Sequence, residues 1–195
     1  MRIRMKGGGC MIVCFGGDHI RFEAYPFSAA SVCPEGAIPA ARIREILPHA
    51  YPPEIRTVEG EVLFAEGVDA KALRAFAEQN DIPLVRRVDT WGLILEEFLD
   101  TALTSEEKEQ TLRVLERCGI SRLEAARIRR SVTDVMLAYN WTSLLWEWSH
   151  LNLYDVLRAY SGALTGDEFR LPAKEFEAFY REAMRIAEKG SLLGE

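Results

Sequence analysis

The sequence predicts an α+β protein: a mixed, mostly antiparallel N-terminal sheet with short helices, followed by an all-helical C-terminal part. Three observations lead there. Apolar and polar residues alternate over residues 19–27, and two short apolar runs flank Glu59-Gly60, which is hairpin patterning. From Leu103 onward apolar residues instead recur at helical spacing. The composition is globular, with 195 residues, 48% hydrophobic, 28% charged and a net charge of −6, which excludes a disordered chain, a collagen-like repeat and a small disulfide scaffold. A chain of this length buries roughly 70% of its unfolded surface, enough for one good core or two modest ones.

Residues 1–10 read as an arm outside the fold, with Met1, Met5 or Met11 as the start. Residues 11–15 are an apolar run and Gly16-Gly17-Asp18 a turn. Over residues 19–27, Ile20, Phe22 and Ala24 alternate with Arg21, Glu23 and Tyr25, so the two segments form a hairpin. A loop of small residues fills 28–38. Pro39 suits a first helical turn, and Ile43, Ile46 and Leu47 give a short amphipathic helix that Pro48, Pro52 and Pro53 stop. A second hairpin joins residues 54–58 to 61–64. Asp69 caps a helix running to about Asn80, with Leu73, Phe76 and Ala77 on one face. Residues 82–88 read as a short strand. Asp89 or Thr90 caps the next helix, carrying Trp91, Ile94, Leu95 and Phe98.

The architecture changes near residues 100–104, so the domains are 11–102 (α+β) and 103–195 (helical). Thr104 with Glu107, and Ser121 with Glu124, are capping boxes, and Gly119 is the stop between them. Ala125, Ile128, Val132, Val135, Met136 and Tyr139 line one face of the helix that follows. Residues 141–160 are apolar on nearly every side and are expected to continue as a buried helix. Residues 161–166 break it, Leu171-Pro172 opens the last helix, and Gly190 closes it.

Four groups of residues bear on function. Residues 111–130 form helix, turn and helix with six arginines against two glutamates, a local +4. Arg122, Arg127, Arg129 and Arg130 lie away from the apolar stripe, so a helix-turn-helix contact to nucleic acid is one reading. The ordinary reading is a solvated face, and the overall −6 favours it: no salt-sensitive retention on duplex DNA is expected. In the tryptophan-rich segment, Glu147 and His150 stand three apart, which suits a carboxylate orienting an imidazole or two ligands of one metal. On a continuous helix Asp155 would project near Leu144, Trp148 and Leu151, as a buried carboxylate needing a partner or a shifted pKa. A dimetal carboxylate bundle needs two Glu-x-x-His pairs, and there is one. The ordinary reading pairs Glu147 with His150 and makes Asp155 the cap of a new helix after Asn152.

Third, Cys10, Cys14, Cys33 and His19 are potential metal ligands. However, Cys10 and Cys14 stand about 13 Å apart on an extended strand, and no Cys-x-x-Cys occurs, so no metal is assigned. Fourth, Arg86 and Arg87 precede a helix N-terminus, a place for an anion. His49 lies at a turn with no nucleophile near it in sequence, and no serine nucleophile elbow is present.

These readings combine into a soluble, cytoplasmic chain with no membrane span, no cofactor and reduced cysteines. A non-enzymatic interaction or regulatory role ranks first, with a protein partner and self-association as a homodimer through an aromatic helical face. An enzyme or metal-binding protein using Glu147, His150 and Asp155 ranks second. DNA binding through residues 111–130 ranks third.

Overall fold

The computed structural model of the chain describes residues 11–99, 103–143 and 150–193. The expected N-terminal arm and Glu147 lie outside the described residues. The fold is α+β, with two small three-stranded antiparallel sheets toward the N-terminus and helices mostly in the C-terminal part. The chain divides into two compact units, one ending at Arg86 and the other starting at Arg87. Among the described residues, no helix is long and apolar enough to cross a membrane.

In the first unit, β1 (Ile12–Phe15), β2 (His19–Glu23) and β3 (Gly36–Pro39) pair in that order. The hairpin read from the sequence is there, with Cys14 opposite Arg21 and Phe15 opposite Ile20. The strand alternation stops at Glu23. Ala24 takes a left-handed backbone, φ 53°, and shifts the phase, so that Tyr25 and Phe27 are buried and Ala24 is exposed. Part of the small-residue loop is β3, whose Ile38 pairs with Ile20.

The second sheet is β4 (Ile43–Leu47), β5 (Glu54–Thr57) and β6 (Val62–Phe64). The amphipathic helix expected over Ile43, Ile46 and Leu47 is a strand. Its pairing with β5 shifts register between Ile43 and Glu45. That irregularity displaces the period-2 pattern, and the buried positions then resemble helical spacing. The β5–β6 hairpin forms as expected around Gly60, which holds φ 84°. The aromatic rings of Phe22, Tyr25, Phe27 and Phe64 meet edge-on with successive centroids 5.3, 5.7 and 5.9 Å apart, and the Phe64 amide donates to the Tyr25 hydroxyl. This chain of rings joins the two sheets into one core. Helix α1 (Ala70–Gln79) starts at Asp69, whose carboxylate accepts from the Lys71 amide, and buries Leu73, Phe76 and Ala77. Residues 82–88 do not form a strand. Leu84 bridges Ile46 and Arg87 bridges Leu192, each in isolation.

The second unit contains α2 (Thr90–Leu95), α3 (Ser105–Arg117), α4 (Arg122–Ser143), α5 (Leu153–Tyr160) and α6 (Ala173–Glu188). Helix α2 belongs to this unit because Trp91 is 1% exposed and donates its indole N–H to the Ala183 carbonyl at 3.0 Å, while Thr90 donates to the Ile186 carbonyl. The Thr104/Glu107 capping box opens α3, and Gly119, at φ 74°, turns the chain into α4. Ser121 accepts from the Glu124 amide, but the Glu124 carboxylate turns away to Lys189. Ile128, Val132, Val135, Met136 and Tyr139 are the buried face of α4.

Residues 141–160 are not one buried helix. Helix α4 is described as far as Ser143, residues 150–152 are not helical, and α5 begins at Leu153. The Asn152 side chain accepts from Tyr154, and Asp155 accepts from the Asn152 amide, so a capping box restarts the helix where apolar periodicity alone would continue it. Trp141 is 77% exposed.

Candidate functional site

The chemistry-bearing groups of the second unit gather where three chain segments meet: the start of α2, the residues just before α5, and the C-terminal half of α4. Asp89 is the N-cap of α2. One carboxylate oxygen accepts from the Gly92 amide at 2.8 Å, and the other accepts from His150 Nε2 at 3.0 Å. A side chain at position 92 would push the Asp89 and His150 ends out of this arrangement. A Cβ there would lie 2.8 Å from Asp89 Oδ2 and 2.9 Å from His150 Cε1, well inside van der Waals contact. The imidazole is about half exposed. The hydrogen bond to Asp89 holds its pKa above the ordinary histidine value, against a smaller opposing effect of burial, with weaker support from the charges of Asp89 and Asp155.

Asp155 occupies the opposite extreme of solvation. It is 4% exposed. Oδ1 accepts from the Tyr139 hydroxyl at 3.1 Å and Oδ2 from the Asn152 amide at 2.9 Å. Burial raises its pKa above the usual carboxylate value. The Asn152 amide, Tyr139, His150 and Arg158 pull the other way and do not cancel it. Burial likewise raises the Tyr139 phenol. Arg158, one turn along α5, donates to the Tyr154 hydroxyl and stacks its guanidinium 5.6 Å from the same ring.

His150 and Asp155 are therefore neighbours that feel one another's charge, but each has its own hydrogen-bond partner, and Asp155 is closed to solvent. Neither partner was legible by sequence spacing: Asp89 is 61 residues from His150 and Tyr139 is 16 from Asp155. The Asp89 cap was a visible signal, whereas its second oxygen's role was not. An Asp–His pair can orient an imidazole and stabilise its charged form. A buried, doubly hydrogen-bonded carboxylate fixes a helix start and a helix–helix contact.

The four candidate arginines, Arg122, Arg127, Arg129 and Arg130, are dispersed. Arg122 is clamped by Glu109 at 2.6 and 2.8 Å and by Glu116 at 2.9 Å, which raises its pKa further. Arg129 donates to the Leu93 and Ile94 carbonyls at the end of α2 and pairs with Glu97. Arg127 and Arg130 are exposed. Arg127 also lines an open groove of about 480 Å³ with Trp91, Phe179, Glu182 and Arg185.

At the expected anion position, Arg87 donates to the Gly190 carbonyl, Arg86 is exposed, and Asp89 already fills the short α2 N-terminus. Among the described cysteines, Cys14 is exposed, Cys33 is half-buried and Cys118 is buried. Cys33 donates to the Tyr25 carbonyl, and burial pushes its thiol up. His19 bonds Asp18, and His49 accepts from Arg74. Among the described residues, no three histidine, cysteine, aspartate or glutamate side chains converge as a metal site.

Comparison with protein-family models, curated proteins and solved structures yields no match.

Proposed function

We propose that the protein is a non-catalytic binding protein whose helical unit presents the outer face of α4 to a protein partner. The observation that carries this reading is Trp141 at 77% exposure, one turn beyond Leu137 at 55%, on the same side of a 22-residue helix. Large aromatic and aliphatic side chains held in water along a rigid element are the usual anchors of protein interfaces. Support also comes from the buried side of the same helix. Tyr139 and Asp155 satisfy one another there, as groups kept for architecture do.

The test is recovery of cross-linked partners from cells expressing the full chain. Recovery with the wild type and loss with Leu137→Asp/Trp141→Asp supports the reading. Equal recovery with both, or none with either, overturns it. A second reading rests on the half-exposed His150 beside Asp89, in which the imidazole acts as a general base on a bound molecule. His150→Gln separates the two, because the binding reading expects it to leave partner recovery unchanged.

A further inference from the structure

The exposed side of α4 carries an ordered row: Leu123, Arg127, Arg130, Asp134, Leu137 and Trp141. Every one of the six is exposed, Leu123 at 81%. Their spacings alternate four and three. From Leu123 to Trp141 they average 3.6 residues, the α-helical period, so the row runs straight along one face of the helix. At 3.6 residues per turn the six fall within about 40° of the direction opposite Val132, in the middle of the buried face.

The row is also symmetric about the level of Val132. Leu123 and Trp141 stand nine residues to either side, Arg127 and Leu137 five, and Arg130 and Asp134 two. A two-fold interface requires this kind of self-matching surface, in which residue i meets j and j meets i.

We infer that α4 pairs with α4 of a second copy of this chain, antiparallel, about a two-fold axis at the level of Val132. This deepens the binding reading above by naming the partner, and it rests on that reading.

In this arrangement Leu123 of one copy lies against Trp141 of the other, at both ends of a seam spanning about 27 Å. Arg127 lays its aliphatic stem along Leu137 and keeps its guanidinium in water. At the centre, Arg130 of each copy faces Asp134 of the other, which makes two opposite-charge pairs. The parallel alternative sets Arg130 against Arg130 and Asp134 against Asp134, so the charges select the antiparallel orientation. Apolar ends supply affinity and the charged centre supplies register, the division of roles seen when a polar pair interrupts a helical seam. The seam is short, so the dimer dissociates on dilution.

Sedimentation equilibrium of the full chain over a wide concentration range tests this, with circular dichroism and thermal melts confirming that each variant folds. The wild type is expected to show a reversible monomer–dimer equilibrium. Arg130→Asp alone and Asp134→Arg alone each bring like charges together and raise the dissociation constant about tenfold or more. The double variant Arg130→Asp/Asp134→Arg restores both pairs with reversed polarity and returns the constant to near the wild-type value. A strictly monomeric wild type overturns the inference, as does a dimer indifferent to the single changes or one that the double change fails to rescue. A monomeric wild type that still recovers Trp141-dependent partners from cells would remove the self-pairing and leave the binding reading standing. Loss of both results would remove both.

Discussion

In the sheet-rich unit the exposed large apolar side chains sit on unrelated segments: Ile12 on β1, Tyr51 in the approach to β5, and Val58 in the β5–β6 turn. In the helical unit Leu164, Leu192 and Leu193 are likewise apart, but Leu123, Leu137 and Trp141 sit on one helix, on one side of it, at intervals that keep them in line. Scattered exposed apolar residues are ordinary on any protein surface and need no partner. A row along a rigid element is different, because a single complementary surface can cover all of it. Both units use a phenol to tie buried groups across elements: Tyr25 accepts from the Phe64 amide in the first, and Tyr139 donates to Asp155 in the second.

The largest expected effects come from the cores and sharpen this contrast. Trp91→Ala in the helical unit should cost about 3–5 kcal/mol, with amide protection lost across α2, α4 and α6 in hydrogen exchange. Trp91→Phe keeps most of the ring and loses the bond to the Ala183 carbonyl, so it should cost nearer 1–2 kcal/mol. Phe27→Ala, which breaks the chain of rings between Tyr25 and Phe64, should cost about as much as Trp91→Ala. In that variant the lost protection should fall on β2, β5 and β6 instead.

Next comes Asp155. Asp155→Ala removes the acceptor for the Asn152 amide and leaves the Tyr139 hydroxyl buried without its partner, at a cost of about 2–4 kcal/mol. Its titration has a definite sign. Burial raises the carboxyl in the folded chain, so the folded state holds this proton more tightly than the unfolded state. The stabilising contribution is full below the unfolded value of about 4 and declines as pH rises through the folded value. The unfolding free energy of the wild type minus that of Asp155→Asn should therefore fall between pH 3 and pH 7. A difference that rises over that window would mean the hydrogen bonds outweigh burial.

Much of this arrangement is legible in the amino-acid order, and the exceptions share a cause. Caps and tight turns are local, so Asp69, Asp89, Thr104 with Glu107, and the hairpin around Gly60 are visible without coordinates. The Ile43, Ile46, Leu47 spacing misleads because a register shift in β4 imitates a helical period. Over residues 141–160 apolar residues on every side carry no phase, and it is Asn152 with Asp155 that marks the start of α5. The candidate site was half visible. His150 and Asp155 stand out by type, but the carboxylate that holds His150 comes from a helix cap 61 residues away. No spacing rule reaches that far.

A smaller effect is expected at His150. The hydrogen bond to Asp89 raises its pKa above the ordinary value. Its stabilising contribution is therefore complete below about 6.5 and is lost as pH rises through the folded value. The imidazole is half exposed, so solvent screening keeps the contribution under about 1 kcal/mol. The stability difference between wild type and His150→Gln should shrink between pH 6 and pH 8, whereas Asp89→Asn should abolish that slope and also weaken the α2 cap. A flat wild-type difference would mean that the Asp89–His150 bond does not persist in solution.

The smallest effects on stability fall on the exposed apolar residues, and they decide what the opening contrast means. Tyr51→Ser and Val58→Ser in the first unit, and Leu123→Ser and Trp141→Ser in the second, should each change the monomer's unfolding free energy by no more than about 0.5 kcal/mol. Association should separate them. The two α4 variants should weaken dimerisation in sedimentation experiments, because each removes both copies of a Leu123–Trp141 contact, while the two sheet-unit variants should leave it unchanged. If all four behave alike, alignment along α4 has no consequence, and its row is as incidental as the scattered residues of the first unit.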